Sequence, residues 1–337
     1  MRAPDTTPRD AQRLNARLSS AGFAGPSPQG EASEGAVEAP SEKITVCICT
    51  YRRPELLGPL LEALATQETG GRFTYSIVVI DNDHARSAEA VVRRFAASSA
   101  LAVHYDVEPR QNIARARNRA VEHATGDLVA FIDDDECPPP RWLLTLVTAR
   151  RRYGADGVLG PVRPRYAEPP PAWVVAGRFY ERATYPTGFV IDWRKGRTGN
   201  VLLRRDVFPA DTPPFRPEFL SGEDQDFFRR VIAQGRVFVW CDEAAVHELV
   251  PPVRWRRTFM VKRALLRGAV SLLHPTFGIR DVARSVVAVA AYTVVLPAAL
   301  LLGQAAFMTY LVKLCDHLGR LLALVGIRLI RRPYITE

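Results

Sequence analysis

The chain has 337 residues, 47% apolar and 24% charged, which suits one large domain or two small ones and is ordinary for a sequence that folds. Its net charge of +9 invites a nucleic-acid-binding reading, but residues from 251 onward hold 13 Lys/Arg against 3 Asp/Glu, while the first 250 hold 32 against 33. That distribution argues against a basic nucleic-acid domain and for an anionic surface near the C-terminus, such as a bilayer.

Residues 1–42 are rich in Pro, Ser, Gly, Ala and Glu and poor in large apolar side chains. They cannot bury enough surface to offset their ordering entropy, so a disordered segment is expected. "MRAPDTTPRDAQRLNARLSS" has no apolar h-region, so no signal peptide is expected. The five cysteines show no paired spacing. Cys47 and Cys49 stand two apart on a strand-like run, and all five suit core thiols in a reducing cytosol.

Order begins at "ITVCICTYRRPELL". Ile44 to Cys49 reads as a buried strand, Thr50 to Arg53 as a turn, and Pro54 as a first helical residue. Leu56, Leu57, Leu60, Leu61 and Leu64 then recur at helical spacing. The unit repeats: strand "YSIVVID", loop "NDHARS", helix "AEAVVRRFAAS", strand "LAVHYDV", helix "NIARARNRAVEHATG", strand "DLVAFID". Alternating strands and helices predict a mostly parallel sheet covered on both faces. Ligands bind beyond the carboxyl ends of such strands. Thr50, Asp81 and Asp133 each end a different strand, so they should converge on one crevice.

The stretch "LVAFIDDDECPPP" places Asp133, Asp134 and Asp135 directly behind an apolar strand. Three adjacent carboxylates suit either a solvated turn or a hard divalent cation such as Mg²⁺ or Mn²⁺. Beyond residue 150 the pattern loosens. "RPRYAEPPPAWVVAG" reads as Pro-rich loop, "TGNVLLRRDVF" as a short strand, "SGEDQDFFRRVIAQG" as a helix with an acidic start, and "RVFVWC" as a strand.

Residues 285–312 hold no Asp, Glu, Lys, Arg or His. As one helix these 28 residues would span about 42 Å, enough to cross a bilayer with tilt or a kink at Pro297. A buried or interfacial helix pair is the alternative. Residues 318–330 look interfacial. The expected organisation is a disordered segment 1–42, a catalytic domain 43–250, a basic helical linker 251–284 at the membrane surface, and transmembrane or interfacial helices 285–337.

Four motifs in order resemble family 2 glycosyltransferases of the GT-A fold: "VCICTYRRPELL", "IVVIDNDH", "QNIARARNRAVEHATGDLVAFIDDDE" and "GEDQDFFRRVIAQG". "EPRQNIARARN" and "YLVKLCDHLG" most resemble bacterial exopolysaccharide transferases of the succinoglycan type. The resemblance implies a Rossmann-like nucleotide-sugar-binding α/β domain with a mixed, mostly parallel sheet. It implies a donor that is a nucleotide sugar, expected to be a UDP-sugar, and Mn²⁺ or Mg²⁺ as cofactor.

It also implies roles. Thr50, Tyr51 and Arg52 would line the nucleotide pocket, Asp81 would accept from the uracil N–H, and Arg117 would face the diphosphate. Asp133 would touch the ribose, Asp134 would belong to the same binding set, and Asp135 would bind the metal with His247 completing its shell. Asp224, beside Glu223 in the catalytic pair, would be the general base. Each residue also has a plain structural role: a loop cap for Asp81, a surface helix arginine for Arg117, an acidic helix start for Asp224.

The chain departs from the processive members, whose Gln-x-x-Arg-Trp motif here has Pro251 in the Gln position before Arg254 and Trp255. Addition of one sugar to a lipid-linked or glycan acceptor therefore fits better than polymerisation. The expected place is the bacterial inner membrane, catalytic domain on the cytoplasmic face. The rivals are a metal-dependent nucleotidyltransferase, which lacks its Gly-rich phosphate loop here, a membrane-anchored binding protein, and a nucleic-acid binder at "RWRRTFMVKRALLR".

Overall fold

The computed structural model describes residues 42–219, 222–273, 276–327 and 329–330. The disorder expected before Glu42 falls outside them. The first apolar run forms β1 (Glu42–Thr50), and Pro54 opens α1 (Pro54–Ala65). Leu57, Leu60, Leu61 and Leu64 face inward at helical spacing and are fully buried, each worth about 1.5–3 kcal/mol relative to exposure. Then come β2 (Phe73–Asp81), α2 (Glu89–Ser98), β3 (Val103–Val107), α3 (Ile113–His123) and β4 (Leu128–Ile132).

Strands β1 to β4 pair in parallel in the order β3-β2-β1-β4. Thr50 stands opposite Asp81 in that register, so the strands end together. Side chains alternate along each strand. Ile44, Val46, Ile48, Val79 and Ala130 therefore pack beneath α1, while Cys47, Val78, Ile80, Val129 and Phe131 pack against α3. Cys47 is buried and Cys49 half-buried, and all five cysteines are free thiols.

The second half completes the sheet with β6 (Gly157–Leu159), β8 (Asn200–Arg204) and β9 (Phe238–Trp240), in the order β4-β8-β6-β9. β8 runs against both its neighbours, and β6 and β9 are parallel, so the sheet is mixed but mostly parallel as expected. Helix α4 (Trp142–Tyr153) and helix α6 (Glu223–Ala233) cover its two faces. A second, three-stranded sheet in the order β5-β10-β7 joins β5 (Glu136–Cys137), β7 (Val162–Tyr166) and β10 (Val246–Val250). It corrects the sequence reading twice: part of the Pro-rich stretch is strand β7 followed by helix α5 (Ala172–Ala176), and His247 lies inside a strand.

The basic segment forms α7 (Arg257–Val270), followed by α8 (Ile279–Leu301) and α9 (Gln304–Leu324). The uncharged run is thus a helix pair broken at Gly303, whose φ of 102° favours glycine. α7 and α9 meet at glycines: a Cβ on Gly319 would lie 2.3 Å from the Leu265 carbonyl oxygen. α8 is the one helix among the described residues long and apolar enough to cross a membrane. Val287, Val294, Leu301 and Leu302 project from it into the exterior.

Candidate active site

The turn after β4 carries the acidic triplet to the mouth of the crevice. Thr50 Oγ1, at the end of β1, donates to Asp134 Oδ2 at 2.7 Å. Arg53, just before α1, donates through Nη1 to Asp134 Oδ1 at 3.1 Å and Asp135 Oδ2 at 3.3 Å. Arg254, from the turn after β10, donates to Asp135 Oδ2 and to Glu248 Oε1, both at 2.6 Å. Arg182 holds the other oxygen of Glu248 at 2.5 Å. A network of carboxylates and guanidinium groups therefore links β1, β4, β10 and the loop after α5.

On the other side of the triplet, Arg117 of α3 is buried, pairs with Glu223, and lies 3.6 Å from Asp133. Glu223 and Asp224 open α6, behind Gly222 at φ 84°. Burial alone would lower the Arg117 pKa, but Glu223, Asp133 and Asp224 outweigh it and hold the guanidinium above its usual range. Burial pushes the Glu223 carboxyl up to about 7, with Asp224 adding to the rise and Arg117 opposing it. Asp224 itself is half-buried and accepts from the Gln225 N–H at 2.7 Å. With Glu223 committed to Arg117, Asp224 is the carboxylate of the pair free to meet an incoming hydroxyl.

The donor set fits a hard divalent cation. Burial lifts Asp134 to about 7, and Glu136 sits well above its usual range through burial and the charges of Asp133 and Asp135. Glu136 Oε1 is buried with no hydrogen-bond partner. A Cβ on Gly199 would come within 2.9 Å of both Asp133 Oδ2 and Glu136 Oε1, so these two oxygens border one small space. Oxygen donors crowded this way are stabilised by positive charge among them.

Thr50, Arg117, Asp133, Asp134, Asp135, Glu223 and Asp224 are thus brought together. Three expectations need correction. Asp81 is fully buried, and its carboxylate accepts from Ala88 N–H at 2.7 Å, Tyr105 O–H at 3.0 Å and Asp83 N–H at 3.1 Å. It braces the loop after β2 and is closed to a ligand. Arg52, at φ 54°, turns away to Asp83 at 3.0 Å with its guanidinium 5.1 Å over the Tyr51 ring. Arg53 is the turn arginine that reaches the triplet. His247 is exposed, because alternation along β10 turns its neighbour Glu248 to the site. Sequence reasoning missed Arg53, Arg182 and Glu248, and noted Arg254 only as part of an incomplete motif.

A mostly parallel sheet with an acidic turn behind one strand and a carboxylate pair at a helix start defines a GT-A-fold glycosyltransferase. The chain belongs to glycosyl transferase family 2, whose family profile matches residues 45–208. It is 37% identical over 227 residues to the succinoglycan biosynthesis protein ExoM of Rhizobium meliloti (strain 1021), covering 67% of this chain and 72% of that protein. It is 28% identical over 194 residues to glycosyltransferase AglE of Haloferax volcanii, covering 57% of this chain and 62% of that one. Among solved structures, the mannosyltransferase PcManGT from Pyrobaculum calidifontis, in complex with GDP-Man and Mn²⁺, matches with a TM-score of 0.55 and 18% identity. That match covers 93% of this chain and 94% of the other, and supports the fold.

Proposed function

We propose that this glycosyltransferase moves one sugar from a UDP-sugar to a lipid-linked or polysaccharide acceptor by a single inverting displacement, in the synthesis of a bacterial exopolysaccharide. The observation that carries the reading is the division of labour at α6: Glu223 is tied to Arg117, and Asp224 beside it stays available. The acceptor oxygen attacks the anomeric carbon as the bond to the diphosphate oxygen breaks. Asp224 takes the acceptor's proton, and the nucleoside diphosphate leaves with the electron pair. Attack opposite the leaving group inverts the anomeric configuration.

Asp135, together with Asp133 and Glu136, whose oxygens border one small space, would hold Mn²⁺ or Mg²⁺, which would supply positive charge to the departing diphosphate. Thr50 and Arg53 fix the triplet from the nucleotide side, and Arg254 fixes it from β10. Tyr51, Thr50 and Asp134 would lie on the nucleotide side, and Asp133 would meet the ribose, while Arg52 stays with Asp83.

The similarity to a succinoglycan biosynthesis protein supports the exopolysaccharide assignment. The exposed apolar face of α8 and the basic residues of α7 support a catalytic domain, residues 43–250, held at the inner membrane on its cytoplasmic face by the helices that follow. The test is a panel of nucleotide sugars incubated with membranes carrying the full chain and either Mn²⁺ or Mg²⁺, scored for nucleoside diphosphate release. Release should be selective for one UDP-sugar and lowered by about 10² or more with Asp224→Asn. Release from no nucleotide sugar would overturn the assignment.

A further inference from the structure

A pocket opens on the β6–β9 side of the triplet, away from Thr50 and the nucleotide side. The space within it is about 70 Å³, room for one end of a ligand rather than the whole of a small molecule. Its walls include Arg182, Arg194, Lys195 and Arg197, with Tyr185 and Trp240, and no Asp or Glu.

Two of the four cations are balanced locally and two are not. Arg182 pairs with Glu248, and Lys195 with Asp192. Arg194 lies 4.5 Å over the Trp193 ring and is exposed, and Arg197 has no hydrogen-bond or ion-pair partner among the described residues. The Arg197 side chain reaches the opening, yet protein atoms around it and the charge of Arg182 lower its pKa, while Asp224 and Glu248 act in the other direction. A cation repelled by its neighbour and left without an anion is arranged for an anion from outside.

The aromatic wall adds shape. Tyr185 stacks on Phe189 with centroids 4.7 Å apart and meets Trp240 edge-on at 5.3 Å. The Tyr185 and Trp240 rings stand perpendicular and give a right-angled apolar corner beside the guanidinium groups. The pocket is walled from β6, β8 and β9, while Thr50 ends β1 on the far side of β4, and the field of Asp224 reaches Arg197. The pocket is therefore on the side from which an acceptor approaches the base.

Resting on the proposed function above, we propose that this pocket is an acceptor subsite for an acidic sugar, the carboxylate-bearing end entering it beside Arg197 and Arg194, with Tyr185 and Trp240 as its apolar wall. The acceptor chain then carries a negative charge on, or next to, the sugar that receives the new residue. The subsite selects against neutral glycans by leaving Arg197 without its anion.

The experiment uses the full chain in detergent, with methyl β-glucuronide and methyl β-glucoside as probes and saturation-transfer NMR as the readout. UDP affinity is measured in parallel by calorimetry. The glucuronide should bind and the glucoside should not. Arg197→Gln should weaken glucuronide binding on the order of tenfold or more, Arg197→Lys should restore part of it, and UDP affinity should be unchanged in both. Arg197 makes no hydrogen bond or ion pair among the described residues, so these variants should fold, and thermal melts check that they do. Equal binding of the two probes, or a glucuronide affinity indifferent to Arg197→Gln, overturns the proposal. Loss of UDP affinity in Arg197→Gln with no change for the glucuronide also overturns it, because the pocket would then serve the donor's diphosphate. If UDP fails to bind even the unaltered protein, the glycosyltransferase reading fails, a result separate from any outcome with the sugar probes.

Discussion

Arg254 reaches across 119 residues of sequence to donate to Asp135 at 2.6 Å, and its other terminal nitrogen holds Glu248. The guanidinium therefore sets the position of the carboxylate most directly assigned to metal binding. Asp135→Asn keeps an acceptor for Arg254 and leaves the Arg254–Glu248 pair, so the fold should persist. Metal-dependent nucleoside diphosphate release should be lost, and Mn²⁺ should no longer raise the melting temperature. Turnover of the unaltered protein that is undiminished in EDTA would sink the metal assignment. Arg254→Ala is a harsher change, but Asp135 keeps Arg53 and Glu248 keeps Arg182, so the cost should stay below the roughly 3–5 kcal/mol of a buried charge left wholly unpaired.

Asp224→Asn tests the base. The amide keeps the size of the side chain and can still accept from the Gln225 N–H. It cannot take a proton, so turnover should fall by about 10² or more while UDP affinity stays near that of the unaltered protein. A collapse of UDP binding would place Asp224 in the donor site instead.

The half of the fold from β1 to β4 was legible because β1, β2 and β4 carry buried apolar runs and the edge strand β3 sits between two helical stretches. The second sheet was not. β5 has two residues, Glu136 and Cys137, and β7 contains Pro164, so neither shows a periodic pattern. Helix α4 (Trp142–Tyr153) also went unread, its apolar face interrupted by three arginines in the last turn. Two of the three site errors were one residue wide. Arg52 and Arg53 are adjacent in a turn, and the left-handed backbone of Arg52 sends only its neighbour to the triplet. His247 and Glu248 are adjacent in β10, and strand parity decides which faces the crevice. Motif reading finds the loop or strand; backbone geometry chooses the residue.

Glu223 gives a pH signature. It faces Arg117 from α3, Asp224 on its own helix and Asp133 from the turn after β4. Its carboxyl sits at about 7 in the folded chain, against 4.5 as the reference value. The folded state therefore binds more protons than the unfolded state between those values, and stability falls as pH rises through that window. Below about 4.5 both states are protonated and the difference vanishes. Glu223→Gln cannot titrate, so the variant should gain on the unaltered protein as pH rises from 5 to 8, by on the order of 1–3 kcal/mol in denaturant melts. A gap that is constant with pH would show that Arg117 cancels the burial effect.

The last relationship lies in α8, where Val287 is 69% and Val294 78% exposed, and only 11% of the apolar window is buried by the rest of the chain. In water such a surface is costly, and in a bilayer it is favourable. Both positions project outward, so Val287→Asp/Val294→Asp disturbs no packing within the chain, and the contacts of α9 with α7 through Gly268 and Gly319 are untouched. If α8 faces lipid, each aspartate costs about 2.5–3.5 kcal/mol near the centre of a span. The double variant should shift from the carbonate-washed membrane fraction to the soluble fraction. Its slow UDP-sugar hydrolysis should survive, because every site residue lies before Trp255, and transfer to a lipid-linked acceptor should drop with the lost local concentration. An unchanged membrane fraction would mean that α8 is not the anchor and that the basic face of α7 alone binds the surface.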